Sequence, residues 1–196
     1  MSNAKSSLKI AIAGLGVVGS EVARQVINCG DELCVAAGKL IKIVAVSARD
    51  RSVGRGINLD GIDWCDEAPK LAERDDIDVI VEMIGGSEGV ALDLARAALG
   101  SGKHLITANK AMIAHHGAEL AQLAEANDVH LLFESAVAGG IPAVKTLREG
   151  LAGNKITRVA GILNGTCNYI LSEMEKTKDN FFNVLKKAQS LGYAEP

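Results

Sequence analysis

Near the start of the chain, Gly14-Leu15-Gly16-Val17-Val18-Gly19 stands at G-x-G-x-x-G spacing. Glycines so placed let main-chain amides close on an anion. The first makes a tight turn, the second admits a diphosphate to the backbone, and the third lets a following helix pack close on a preceding strand. The chemistry is dinucleotide recognition, with unpaired N–H groups and the positive end of a helix facing the phosphates. The same spacing also serves as a plain glycine turn in a fold that binds nothing. Lys110 is a second chemical candidate, a cation able to orient a cofactor or a substrate carboxylate or carbonyl. It also reads as a first-turn surface lysine behind an Asn109 N-cap. Arg49 is a third: a guanidinium fork pairs with a ribose 2′-phosphate, which favours NADP(H). Asp50 keeps NAD(H) open, and Arg49 and Arg51 also read as solvated loop charges.

Each candidate needs a strand to deliver it. Leu8–Ala13 is a short apolar run ending at glycine, the pattern of a strand buried on both faces. After the glycine turn, Val18, Val22, Val26 and Cys29 recur at helical spacing, and Gly30 supplies a stop. Residues 31–39 read as a connection with one helical turn at Glu32–Ala37, and Leu40–Val46 as the second strand. Residues 52–67 read as loop with a short strand at Ile62–Trp64, followed by a short helix over Ala68–Arg74. Asp78–Met83 is the next buried strand, running into Ile84-Gly85-Gly86, a second glycine turn at the sheet edge where ligands of open α/β folds sit. A helix capped by Ser87 through Leu99, a strand over Lys103–Thr107, an amphipathic helix over Gly117–Asn127 and a sixth strand over Val129–Phe133 complete the alternation. This alternation predicts a parallel sheet with helices on both faces. His104, His115, His116 and His130 read as structural or surface residues. Glu134-Ser135-Ala136-Val137-Ala138-Gly139-Gly140-Ile141-Pro142 is the expected exit from the first domain, placing its end at residue 137. Beyond it the pattern predicts a helix from Pro142 to Glu149, a strand over Ile156–Leu163, a turn with N-cap at Asn164-Gly165-Thr166, and helices over Cys167–Lys176 and Asn180–Leu191.

Bulk properties narrow the class. The chain has 196 residues, 48% hydrophobic and 23% charged, with a net charge of −3. That balance is globular, and the acidic surplus argues against nucleic acid as the main partner. No apolar run reaches the roughly 20 residues that span a bilayer, and no secretory signal is visible. Met1-Ser2-Asn3-Ala4 reads as an expression scar. Cys29, Cys34, Cys65 and Cys167 have no zinc-ligand spacing and read as free thiols of a reducing cytoplasm.

Together, Gly14–Gly19, Glu82-Met83-Ile84-Gly85-Gly86, Thr107-Ala108-Asn109-Lys110-Ala111, Glu134–Pro142, residues 161–171 and Leu191-Gly192-Tyr193-Ala194-Glu195-Pro196 resemble the homoserine dehydrogenase family. The glycine motif is generic; residues 161–171 and the closing LGYAEP are specific. The resemblance implies a Rossmann-type doubly wound parallel sheet followed by the beginning of an α+β substrate and dimerisation domain. It implies NAD(P)-dependent interconversion of homoserine and aspartate 4-semialdehyde, on the way to threonine, methionine and isoleucine, by a cytoplasmic homodimer. By resemblance, Gly14, Leu15, Gly16, Val17, Val18 and Gly19 hold the cofactor diphosphate. Arg49, with Ala48, lies at the ribose phosphate, and Ile84, Gly85 and Thr107 line the cofactor. Lys110 lies near nicotinamide and substrate. Glu195, Asn164, Gly165 and Thr166 are expected at the substrate. Glu134, with the backbone oxygens of Val137, Gly139 and Ile141, resembles a sodium site, although the loop also reads as a hinge without an ion. The family continues past A-E-P to a substrate-binding aspartate and a proton-donor lysine. This chain stops at Pro196, so a truncated chain is expected, one that binds NADP(H) but turns over poorly with Lys110 as its single proton-donor candidate. Two rivals are a semialdehyde dehydrogenase with Cys167 as nucleophile and a non-catalytic nucleotide-sensing module.

Overall fold

The structure is a computed structural model that describes residues 7–139, 141–161 and 164–194. Residues 1–4, expected to be a scar, and Glu195 lie outside the described residues. The chain divides into two compact units, Met1–Gly139 and Gly140–Pro196.

In the first unit β1 (Ser7–Ala13) leads into α1 (Val17–Asn28), α2 (Gly30–Ala37) and β2 (Leu40–Ser47). A two-residue β3 (Asp63–Trp64), a 3-10 turn (Ala68–Glu73) and β4 (Val79–Glu82) follow. Then come α3 (Val90–Gly100), β5 (His104–Thr107), α4 (Lys110–Ala126) and β6 (Leu131–Leu132). All pairings are parallel, in the order β3-β2-β1-β4-β5-β6. That is the doubly wound order, with its switch point between β1 and β4.

The apolar runs are unbroken because both faces of each central strand are covered. On β1, Ile10 and Ile12 face one cluster with Ala23 of α1, Ile43, Val46, Val79 and Val81. Ala11 and Ala13 face the other, with Ile80, Leu92, Leu94 and Leu99 near α3 and Met112 and Leu120 on α4. Burying each of these leucines contributes about 2 kcal/mol relative to exposure.

Several boundaries differ from the sequence expectation. The single turn expected at residues 32–37 is a full helix, α2. It buries no residue, so no apolar stripe marks it, but Asp31 and Glu32 suit its first turn and left-handed Gly38 ends it. Ser87 caps nothing: α3 starts at Val90 behind Gly89, whose φ of 69° takes the chain into the helix. α4 begins seven residues before Gly117, at Lys110, because the Asn109 side chain accepts the Met112 N–H. β6 keeps only Leu131–Leu132, the part that pairs with β5.

The second unit carries α5 (Ala143–Lys145), running into a π turn at Thr146–Gly150, then α6 (Gly165–Thr177) and α7 (Phe181–Ser190). Pro142 caps this first helix instead of opening it, and the helix is split by the wider turn, in which the Thr146 hydroxyl donates to the Pro142 carbonyl at 2.6 Å. The strand expected over Ile156–Leu163 does not form across its described residues, 156–161. Ile156 and Val159 are exposed, and no strand within the unit's described residues is there to pair with them. α6 and α7 pack through Ile170, Val184 and Ala188.

Candidate functional site

Because the sheet is parallel, the C-terminal ends of β1, β2, β4 and β5 open on one edge. They deliver Gly14–Gly16, Ala48-Arg49, Ile84–Gly86 and Asn109-Lys110 to that edge. Each glycine of the first turn has a distinct geometric reason. Gly14 has φ 96°, and a Cβ there would lie 2.4 Å from the Met83 carbonyl oxygen. A Cβ on Gly19 would lie 1.7 Å from the Gly14 carbonyl oxygen, so α1 can approach β1 this closely only at glycine. Gly16 is the N-cap of α1, and nothing lies within 4 Å of its would-be Cβ. Its first turn carries no acid and Gly16 offers no side-chain cap, so the amides at that helix end are left for an anion. Val17 and Val18 are exposed beside it, and Leu15 is buried.

The far side of this turn is braced. Gly14 N–H donates to the Ser47 carbonyl at 2.8 Å, tying the ends of β1 and β2. The Leu15 carbonyl accepts from Ser20 Oγ at 3.0 Å and from Arg55 Nε at 3.1 Å. Arg55 also donates to the Val53 and Asp50 carbonyls at 2.7 and 2.5 Å, and lies with Arg51 over the Trp64 ring. Arg55 therefore staples the loop after β2 onto the glycine turn. Arg49 is exposed on that loop and Ala48 half-buried. The Asp50 carboxylate accepts from Ser52 Oγ at 2.7 Å and Ser52 N–H at 2.8 Å. Those bonds hold its carboxyl below the usual range and turn it into its own loop.

At the centre of the edge, Glu82 ends β4 fully buried. Its Oε1 accepts from Ile84 N–H at 2.6 Å and Gly85 N–H at 3.1 Å; its Oε2 accepts from Thr107 Oγ at 2.5 Å. Thr107, also fully buried, accepts Asn109 N–H at 3.0 Å. Asn109 Nδ2 donates to the Gly86 carbonyl at 2.6 Å while Oδ1 caps α4. Lys110 is exposed as the first residue of α4. The Thr107 hydroxyl thus serves the protein's own network, and Asn109 is both an N-cap and a tie to the second glycine turn. Glu88 meets His116 at 2.7 Å, tying the segment after that turn to α4, and Glu119 of α4 pairs bidentately with Arg96 of α3.

Glu134 opens a 3-10 turn, Glu134–Ala136, and is half-buried. Val137 N–H donates to its carbonyl at 3.2 Å, and Ala138 and Gly139 follow with φ 58° and 62°. In the second unit the Ile141 carbonyl accepts Ala143 N–H at 2.7 Å. Asn164 caps α6 by accepting Cys167 N–H at 2.9 Å, and Gly165 is the helix's first residue. The Thr166 hydroxyl donates to the Tyr193 carbonyl, and Tyr193 stacks on Tyr169 at 4.7 Å. The turn at 164–166 and the chain leading towards Glu195 are thereby joined.

Ser20, Arg55, Trp64 and Glu82 were absent from the expected site. Only Glu82 had a signal in the sequence: a carboxylate ending an apolar strand, directly before a double glycine.

Strand order, turn geometry and the uncapped helix end define a Rossmann-type nucleotide-binding domain. Residues 14–134 match the family model described as homoserine dehydrogenase, NAD binding domain, and residues 142–196 match the one described as homoserine dehydrogenase. The chain belongs to the homoserine dehydrogenase family. It is 43% identical over 188 residues to a homoserine dehydrogenase of Neisseria gonorrhoeae, covering 96% of this chain and 43% of that one. To that of Corynebacterium glutamicum it is 44% identical over 191 residues, covering 97% and 42%. The crystal structure of a homoserine dehydrogenase from Thiobacillus denitrificans superposes with a TM-score of 0.82 at 40% identity, covering 96% of this chain and 43% of that one. The chain thus spans less than half the length of these relatives. No helix among the described residues is long and apolar enough to cross a membrane.

Proposed function

We propose that this chain supplies the nucleotide-binding domain and the first part of the substrate domain of a homoserine dehydrogenase, interconverting L-homoserine and L-aspartate 4-semialdehyde with NADP(H), and with NAD(H) as a second cofactor. The observation that carries the reading is the first glycine turn: closed by backbone at Gly14 and Gly19, open at Gly16, and set at the start of an uncapped helix. The donor set fits a dinucleotide diphosphate, since the main-chain amides of residues 16–19 can bind it without a competing acid.

A bound nicotinamide cofactor supplies the hydride. The chain's own residues bind and orient the reactants, with Lys110 the candidate among them to hand a proton to the carbonyl oxygen in reduction and to take it back in oxidation. Gly14–Gly19 anchor the diphosphate. Arg49 offers a fork to a 2′-phosphate, and Asp50 already has one carboxyl oxygen taken up by Ser52. That allocation supports NADP(H). Ile84 and Gly85 line the cofactor's path, and Lys110 gives a positive charge to orient a carbonyl or carboxylate. In the second unit, Asn164, Gly165, Thr166 and Glu195 hold homoserine. The oxygen-only set of the Glu134 carboxyl and the Val137, Gly139 and Ile141 carbonyls suits a hard monovalent cation such as sodium. Assembly as a cytoplasmic homodimer in the route to threonine, methionine and isoleucine belongs to the same proposal.

The test is titration of NADPH and NADH into the purified chain by calorimetry, followed by homoserine into the cofactor complex. Binding of NADPH ahead of NADH, with a second heat on adding homoserine, supports the reading. A folded chain that takes up neither nucleotide overturns it. Binding without any response to homoserine leaves a nucleotide sensor in its place.

A further inference from the structure

The two glycine turns at the sheet edge look alike in sequence and differ in what their amides do. The first keeps its helix-end amides turned to the edge. The second has given up two of its own: Ile84 N–H and Gly85 N–H both donate inward, to one oxygen of the Glu82 carboxyl. Gly85 and Gly86 adopt φ of 84° and 83°, the left-handed backbone that lets the chain fold back over that carboxyl. The other oxygen takes the Thr107 hydroxyl, which in turn takes Asn109 N–H, while the Asn109 side chain reaches back to the Gly86 carbonyl. The bonds close a ring from β4 through the second turn, the start of α4 and β5, with Lys110 the next residue along.

We propose that Glu82 is a positioning residue that sets both halves of the nicotinamide end of the site: it shapes the Ile84-Gly85-Gly86 turn and, through Thr107 and Asn109, fixes where α4 starts and so where Lys110 stands. This rests on the nucleotide-binding reading and adds to it a division of labour. The first turn takes the anionic diphosphate. The second, with these amides consumed, is no anion site and receives the uncharged ribose and carboxamide part of the cofactor by shape. A fully buried carboxyl with only backbone and hydroxyl donors around it is costly to desolvate. Its bonds go to the turn and the helix start, so the preorganisation it provides is local to the site.

The experiment measures Kd for NADPH and NADH, and the melting temperature, in the full chain carrying Glu82→Gln, Glu82→Leu, Thr107→Val or Ile80→Val. Ile80 is buried in the same strand, two residues before Glu82, and touches none of these bonds. Glu82→Gln keeps an oxygen for the Ile84 and Gly85 amides, so it should weaken both nucleotides about tenfold, and Glu82→Leu about a hundredfold, one and two steps of about 1.4 kcal/mol in binding. The NADPH-to-NADH ratio should not change, since the 2′-phosphate lies at the other end of the cofactor. Ile80→Val should lower the melting temperature and leave both Kd values within about twofold, distinguishing positioning from loss of stability. If the Glu82 variants fail to fold, Thr107→Val, which removes one donor, must by itself weaken both nucleotides. The proposal is overturned if folded Glu82 variants, or Thr107→Val in their place, bind like wild type, or if Ile80→Val weakens binding as much as they do. Should the wild-type chain bind neither nucleotide, the underlying reading fails and takes this one with it.

Discussion

Replacing Gly16 and Gly19 with alanine, one at a time, should separate binding from folding within a single motif. At Gly16 the added methyl meets no protein atom within 4 Å, and φ is −73°, which any residue adopts. The stability cost is that of alanine instead of glycine at an N-cap, about 0.5–1 kcal/mol. The methyl does, however, occupy the space through which a diphosphate would reach the amides. Losing two amide–phosphate hydrogen bonds at about 1.5 kcal/mol each removes about 3 kcal/mol, or on the order of a hundredfold in Kd. At Gly19 the added carbon would sit 1.7 Å from the Gly14 carbonyl oxygen. Ordinary van der Waals contact is roughly 3.5 Å, so helix and turn must part by nearly 2 Å. Both partners are backbone, so no side chain can swing away. The cost belongs at the upper end of the overpacking range, about 3 kcal/mol. For a unit of this size that lowers Tm by about 10 °C. Circular-dichroism melts and calorimetric titration with NADPH read the two effects separately. The reasoning is refuted if Gly16→Ala binds like wild type, or if Gly19→Ala melts with it.

Other perturbations test the surroundings. Arg49→Ala should weaken NADPH by about tenfold and leave NADH within about twofold, as expected for one charge-assisted pair; equal losses would dismiss Arg49 as the phosphate residue. Arg55→Ala removes donors to the Leu15, Val53 and Asp50 carbonyls and should loosen the loop after β2, seen as faster amide hydrogen exchange over residues 48–56 and weaker binding of both nucleotides. Asn164→Ala takes the cap from α6 and should cost about 1 kcal/mol, read as lower helicity in the second unit. Asp76, half-exposed and forked to Arg74 at 2.9 Å, has its carboxyl pulled below the usual range chiefly by that hydrogen bond. A carboxyl depressed in the folded state stabilises above its unfolded pKa of about 4, and the gain is lost as pH falls through the folded value. Asp76→Asn should therefore flatten the acid limb of a stability-against-pH curve below about pH 4, by less than about 1 kcal/mol because solvent screens the pair. An unchanged limb would remove Asp76 from the account of acid stability.

What could be read in advance follows from which interactions are local. Leu8–Ala13 and Asp78–Met83 announced buried parallel strands because both faces of β1 and β4 are covered, so an unbroken apolar run was the expected pattern. The first glycine turn was legible because its three glycines fall within six consecutive residues; the clash at Gly19 is local, with the Gly14 carbonyl, whereas the one at Gly14 comes from the distant Met83 carbonyl. α2 and the first two turns of α4 were hidden because they bury little, α2 nothing at all and α4 only Met112 before Leu120. The strand expected at Ile156–Leu163 shows the opposite error. A β-branched run states a preference, and a strand needs a neighbour to pair with.

The deepest miss is in the site. Glu82 and Thr107 are 25 residues apart, and Arg55 reaches Leu15 across 40. Neither separation has a period or a motif, so only the paired strands bring the partners together. In sequence Ile84-Gly85-Gly86 reads as a second glycine turn at the ligand-binding edge. The fold gives two of its amides to a carboxylate supplied by the strand that leads into it. Spacing alone therefore marks where backbone can bend, while the partners of the freed N–H groups decide whether the bend grips a charge. Along this sheet edge that decision separates the uncapped helix end behind Gly16 from Gly85, whose amide is already bound to Glu82.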